Sequence, residues 1–126
     1  MLPTKLKFTS GGWSADATRI EWQQGKLHCQ LACGDYVWRK ETTTVPSPEA
    51  WAEFWDSVEK AGVWDWEANY NTEVLDGWRW ELELEQAGRR IASNGSNACP
   101  GGEGEDSSFE QFRRALLKLV GVAKLK

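Results

Sequence analysis

The chain predicts an α+β fold: a mainly antiparallel sheet of about five or six strands with two helices packed on one face. Three observations carry this. Between Trp78 and Glu85 every even position is apolar and every odd position charged, the period-two pattern of a strand with one dry and one wet face. Trp51, Phe54, Trp55, Val58 and Ala61, and again Phe109, Phe112, Leu116, Leu119 and Val120, recur at helical spacing. The N-terminal half alternates in short β-prone runs separated by turn residues, which is the pattern of a meander.

In chain order, Lys5 to Phe8 predicts a first strand with Leu6 and Phe8 inward, broken by Ser10-Gly11-Gly12. Thr18–Gln23 and Lys26–Cys33 flank Gln24-Gly25, a tight turn that would pair Trp22 with Leu27, Ile20 with Cys29 and Glu21 with His28. Gly34-Asp35 reads as a second turn, leading to Tyr36-Val37-Trp38 with Trp38 opposite Leu31, and Thr42 to Val45 extends the β-prone run. Ser47 then suits a helix cap, Pro48 its first turn, Glu49 and Glu53 its positive end, and Gly62 its stop. Val63 to Thr72 reads as an aromatic connector.

After Asp76-Gly77 comes the strand ending at Glu85. Ala87-Gly88 supplies a two-residue turn, so Leu84 should face Ile91, Leu82 Ser93, Trp80 Gly95 and Glu85 Arg90. Gly101 to Asp106 is an acidic glycine-rich loop, after which Ser107 and Glu110 are spaced as a capping box for the last helix. Because Trp51, Phe54 and Val58 recur in pattern as Phe109, Phe112 and Leu116, the chain admits a strand-strand-helix pseudo-repeat.

At 126 residues the chain fits one domain spanning its whole length, with a core that needs no metal or disulfide staple. Its nine tryptophans can bury roughly 150–250 Å² each, so several must be core. The expected core is Phe8, Trp22, Leu27, Leu31, Trp38, Trp51, Phe54, Trp55, Trp80, Leu82, Leu84, Ile91, Phe109, Phe112 and Leu116. A net charge of −4 without a dense basic patch argues against nucleic acid and anionic membrane. Three cysteines, an odd number, and no signal-like or membrane-spanning stretch lead us to expect a cytoplasmic protein.

Chemistry is sparse. His28, Cys29 and Cys33, with Cys99, invite a metal reading, but positions 29 and 33 of one strand lie about 13 Å apart and His28 faces the other way. Cys29 and Cys33 as core residues, with His28 as a surface partner of Glu21, is the expectation, and no metal or cofactor is expected. His28 is the single histidine and nothing marks a nucleophile beside it, so an enzyme is not expected. Gly101-Gly102-Glu103-Gly104 lacks the lysine of a phosphate loop, and Asp65, Glu67, Asn69 and Asn71 lack the glycine and distal glutamate of a calcium loop.

Two surfaces remain as candidates. Glu81, Glu83 and Glu85 on the wet face, with Glu103, Glu105 and Asp106 in the loop, would suit a protein partner with a basic surface, as in an inhibitor, immunity protein or adaptor. Alternatively, Trp64, Trp66, Tyr70 and Trp78 would line a small-ligand pocket with Asn97 as a polar reader, or else plug the sheet beneath a helix. Unprotected sheet edges leave a homodimer open.

Pro46-Ser47, Trp51-x-x-Phe54, Trp64-x-Trp66 with Tyr70, Asp76-Gly77-x-x-Trp80, Ser96-Asn97-x-x-Pro100 and the Phe109-x-x-Phe112 helix together resemble a family of small uncharacterised bacterial proteins. The resemblance runs from Val45 to the last helix. It implies a single α+β domain and carries no statement of activity, and the acidic stretch Gly102 to Asp106 departs from its pattern.

Overall fold

The structure is a computed structural model that describes residues 2–12, 17–32, 38–71, 78–96 and 107–121. Its elements in chain order are β1 (Lys5–Gly12), β2 (Ala17–Gln23), β3 (Lys26–Ala32), β4 (Trp38–Thr44), α1 (Pro48–Ala61), a 3₁₀ turn (Val63–Asp65), β5 (Asn69–Asn71), β6 (Trp78–Gln86), β7 (Arg89–Ser96) and α2 (Ser108–Leu119). The class is α+β as expected. The sheet has seven strands rather than five or six, in the order β4-β3-β2-β1-β6-β7-β5. It is antiparallel at every seam except the last, where β5 runs parallel to β7.

Two hairpins follow from their turns. Gln24 and Gly25 have φ of 53° and 78°, and Ala87 and Gly88 have φ of 52° and 82°. Two consecutive left-handed residues match the right-handed twist of the flanking strands and lock a two-residue register. The pairs Trp22↔Leu27, Ile20↔Cys29 and Glu21↔His28 form in one hairpin, and Leu84↔Ile91, Leu82↔Ser93, Trp80↔Gly95 and Glu85↔Arg90 in the other.

Four expectations need correction. The register shifts between Leu31 and Ala32, so Leu31 faces Lys40 and Ala32 faces Trp38, because a bulge sets an extra residue against its partner strand. The fourth strand is continuous from Trp38 to Thr44. The first does not stop at Ser10: β6 pairs with it as far as Gly12↔Trp78, and an inter-strand ladder overrides the weak strand preference of Ser-Gly-Gly. Finally, Asn69–Asn71 of the connector is itself a strand, held by Asn94 N donating to Ala68 O at 2.9 Å and Ser93 Oγ donating to Glu67 O at 2.5 Å. Cys33, Gly34, Asp35, Tyr36, Val37, Asp76 and Gly77 lie outside the described residues.

Both helices start as their sequences dictate. Ser47 Oγ accepts from Ala50 N at 3.1 Å, and Ser107 Oγ from Glu110 N at 3.2 Å. Gly62, at φ 70°, ends α1 by turning its N–H back to Glu59 O and Val58 O. The helices lie side by side and antiparallel, with Lys118 reaching Glu53 at 2.8 Å near one end and Ser108 Oγ donating to Ala61 O near the other.

One apolar cluster joins the helices to a single face of the sheet. Leu6, Phe8, Ile20, Leu27, Cys29, Trp80, Leu82 and Leu84 meet Trp51, Phe54, Val58, Phe109, Phe112 and Leu116 there. Trp22, Leu31 and Ile91 are half-buried at its margin, and the side chain of Trp38 lies outside the described ones. Phe112 sits at the centre with no exposed surface, its ring 5.9 Å from Phe8, 6.1 Å from Phe54 and 5.5 Å from Trp66.

Candidate functional site

Because α1 and α2 cover one face, the other is left to solvent, and the strand register fixes what stands on it. One row across the strands runs Arg90, Glu85 and Lys5. The next runs Ala92, Glu83, Lys7, Glu21, His28 and Thr43, and the third Asn94, Glu81, Thr9, Arg19, Gln30 and Glu41. Glu81, Glu83 and Glu85 therefore stand together on the open face, as their alternation required.

The face is nevertheless not acidic in sum. Among the described residues, Lys5, Lys7, Arg19, Lys26, Arg79 and Arg90 stand on it with Glu21, Glu41, Glu81, Glu83 and Glu85, six cations beside five carboxylates. Lys5 Nζ meets Glu83 Oε2 at 2.7 Å with both side chains about half exposed. The hydrogen bond from Lys5 holds the Glu83 carboxyl below the ordinary value of 4.5 against the opposing effect of desolvation, helped by the charges of Lys5, Lys7 and Arg90. Glu103, Glu105 and Asp106 lie outside the described residues.

The connector aromatics do not converge. Trp66 is buried against Trp80 (5.7 Å), Phe109 (6.1 Å) and Phe112 (5.5 Å), and its Nε1 donates to Ser108 Oγ at 2.8 Å. Tyr70 packs 6.1 Å from Trp80 and accepts at its hydroxyl from Glu67 N at 2.9 Å. Trp66 plugs the sheet beneath α2, with Tyr70 half-buried beside it against Trp80. Trp64 goes elsewhere, stacking on Trp55 at 6.5 Å with the Arg89 guanidinium 4.5 Å from its own ring centre. The side chain of Trp78 and all of Asn97 lie outside the described residues; of the other three rings, Trp66 is in the packed core, Tyr70 is half-buried against it, and Trp64 is in another corner.

That corner was not singled out from the sequence. Arg89 forms an ion pair with Glu59 of α1, and its cross-strand partner Gln86 is 3% exposed. The available signal was Gln86 itself, a polar residue at the even, inward phase of β6 directly before the turn.

Cys29 is buried toward the helices, while His28 faces solvent with Glu21 and Thr43 as cross-strand neighbours. Cys33 and Cys99 lie outside the described residues. Among the described residues no group of three or more His, Cys, Asp or Glu side chains is placed to hold a metal ion, and no helix is long and apolar enough to cross a membrane. Between the helices runs a shallow cleft of about 110 Å³ over Ala50, Phe54, Ser57, Ala115 and Leu119, bridged by the Lys118–Glu53 pair. No protein-family model matches the chain, and no curated protein matches it.

Proposed function

We propose that the protein is a non-catalytic binding module whose protein partner docks on the open face of the sheet. The observation that carries this reading is the two-layer architecture, which leaves the strands from β4 across β3, β2, β1 and β6 to β7 presenting register-fixed charges on one face. The Glu81–Glu83–Glu85 ladder is the acidic element, and a partner of inhibitor, immunity or adaptor type would meet it with basic side chains. Since cations interleave the ladder, recognition rests on charge register rather than on net charge, and wrong registers are repelled. The surroundings of His28 fit a surface role, and Cys29, buried in the core, fits a reducing compartment such as the cytosol.

Affinity capture with the intact protein tests this at about 50 and about 500 mM salt, where screening shortens from a range of roughly 14 Å to roughly 4 Å. A partner retained at low salt, lost at high salt and absent from the Glu81→Lys/Glu83→Lys/Glu85→Lys variant is the expected result. Capture indifferent to both salt and charge reversal refutes the reading.

A further inference from the structure

β4 is the last strand of the sheet, and among the described residues no element lies along its outer edge. The opposite end of the sheet closes on β5, three residues long, and so short an edge offers little to pair with. β4 runs for seven residues without a proline. Its bulge makes Arg39 the extra residue, so the regular part of the strand is 40–44. The hydrogen-bond phase there follows from the first hairpin. Gln23 and Lys26 flank the two-residue turn and exchange both main-chain bonds, so Leu27, Cys29 and Leu31 point theirs away from β2 toward β4. Their partners Thr44, Thr42 and Lys40 are thereby engaged, while the N–H and C=O groups of Glu41 and Thr43, both exposed residues, point outward. Val45, which directly follows the strand, is 69% exposed.

We propose that the outer edge of β4 is a homodimer interface, in which two copies of the chain pair antiparallel about a two-fold axis at Thr42 and join their seven-stranded sheets into one. An open edge is a template for a further strand, and the sequence of this one is complementary to itself. A two-fold axis normal to the sheet keeps both helix layers on one side and sets each residue against one of its own phase. Centred on Thr42, it places Glu41 of each copy opposite Thr43 of the other, and their outward groups exchange four main-chain hydrogen bonds. The whole regular segment is then used, from Lys40 opposite Thr44 to Thr42 opposite itself, and Thr–Thr is a favourable cross-strand pair. Centred on Glu41 instead, two carboxylates would oppose each other and the pairing would run into the bulge. Centred on Thr43, each Glu41 would face the apolar Val45. The dimer is independent of what docks on the open face, and it makes the open faces of the two copies continuous.

The test is sedimentation and amide hydrogen exchange of the intact protein from about 10 µM to about 1 mM, since an interface of one strand pair is small and weak. The average mass should rise from that of one chain toward that of two. Over the same range the Glu41 and Thr43 amides should exchange about threefold more slowly, while those of Thr42 and Thr44, already bonded to β3, stay unchanged. Thr43→Pro removes an outward N–H at an edge position where proline is tolerated, and should remain a monomer throughout. Thr42 opposite itself is a non-hydrogen-bonded pair with Cα atoms about 4.5 Å apart, within disulfide reach. Thr42→Cys should therefore give a linked dimer with oxidised glutathione, in a yield that neither the wild type nor Asn69→Cys on the β5 edge matches. The proposal is overturned by a wild type that stays monomeric at every concentration, or by Glu41 and Thr43 amides protected equally at all of them, which would mean that the chain covers its own edge. A dimer that persists in Thr43→Pro overturns it too. Should Thr43→Pro fail to fold, the linking of Thr42→Cys decides alone, and its absence refutes the interface.

Discussion

Replacing Phe112 by alanine tests the packing of helices on sheet at its most sensitive point. The ring is fully buried and touches Phe8 from the sheet, Phe54 from α1 and Trp66 from the connector, so no single element can close over the space it leaves. Loss of transfer energy plus an unrelaxed cavity costs about 3–5 kcal/mol for such a truncation. A chain of 126 residues has a total stability of about 6–19 kcal/mol, so the variant should remain folded but weakened. Urea unfolding should show a lower midpoint at unchanged slope, and the melting temperature should fall by roughly 10–20 °C. A double-mutant cycle with Phe54→Ala should return a coupling of about 0.5–1.5 kcal/mol, since the two rings lie 6.1 Å apart. A loss below about 1.5 kcal/mol for Phe112→Ala alone would refute the three-sided burial on which the fold rests.

Three further outcomes are expected. Gln86→Leu, which removes a buried donor without an acceptor, should leave stability unchanged or raise it by up to about 1 kcal/mol; a loss above about 2 kcal/mol in thermal or urea unfolding contradicts the unpaired state of that donor. Ala87→Gly should stabilise by roughly 0.5–1 kcal/mol, because relief of a left-handed alanine at φ 52° outweighs the added freedom of the unfolded chain, and calorimetry showing net destabilisation would count against it. Glu83, with its carboxyl lowered in the folded state, contributes stability that is present above the ordinary value of 4.5 and lost as pH falls through the folded value. In Lys5→Met, NMR titration of the Glu83 carboxyl should move up toward 4.5 and the acid limb of the stability profile should flatten. Stability at neutral pH should then change by less than about 1 kcal/mol, as befits an exposed pair.

Much of the fold was legible because local rules sufficed. A period-two strand followed by Ala87-Gly88 leaves only one register that keeps Trp80, Leu82 and Leu84 dry, and Ser47 and Ser107 mark helix starts without reference to anything distant. Asn69–Asn71 escaped because three residues carry no measurable period, and their strand character comes from β7 alone. The Leu31/Ala32 bulge likewise has no local signature.

The candidate surface was half legible. That Glu81, Glu83 and Glu85 share a face follows from alternation alone, whereas the lysines between them come from Lys5 and Lys7, far away in sequence and adjacent only because β1 inserts between β2 and β6. The aromatics of the connector were read as one group because they are close in sequence. A 3₁₀ turn at Val63–Asp65 sends Trp64 toward α1 and Arg89 while Trp66 enters the core under α2, and a divergence of that kind is invisible to spacing.

The most direct test of the docking face is site-specific photo-crosslinking. A photoreactive side chain is placed at Ala92, exposed on β7 toward one side of the open face and beside Glu83, and separately at Ala52, exposed on the outer side of α1. A partner adduct from Ala92 that is missing from Ala52, and that disappears when Glu81, Glu83 and Glu85 are changed to lysine, is the predicted result. An adduct from Ala52 in equal yield, or none from Ala92 under conditions where the partner is captured, would contradict it.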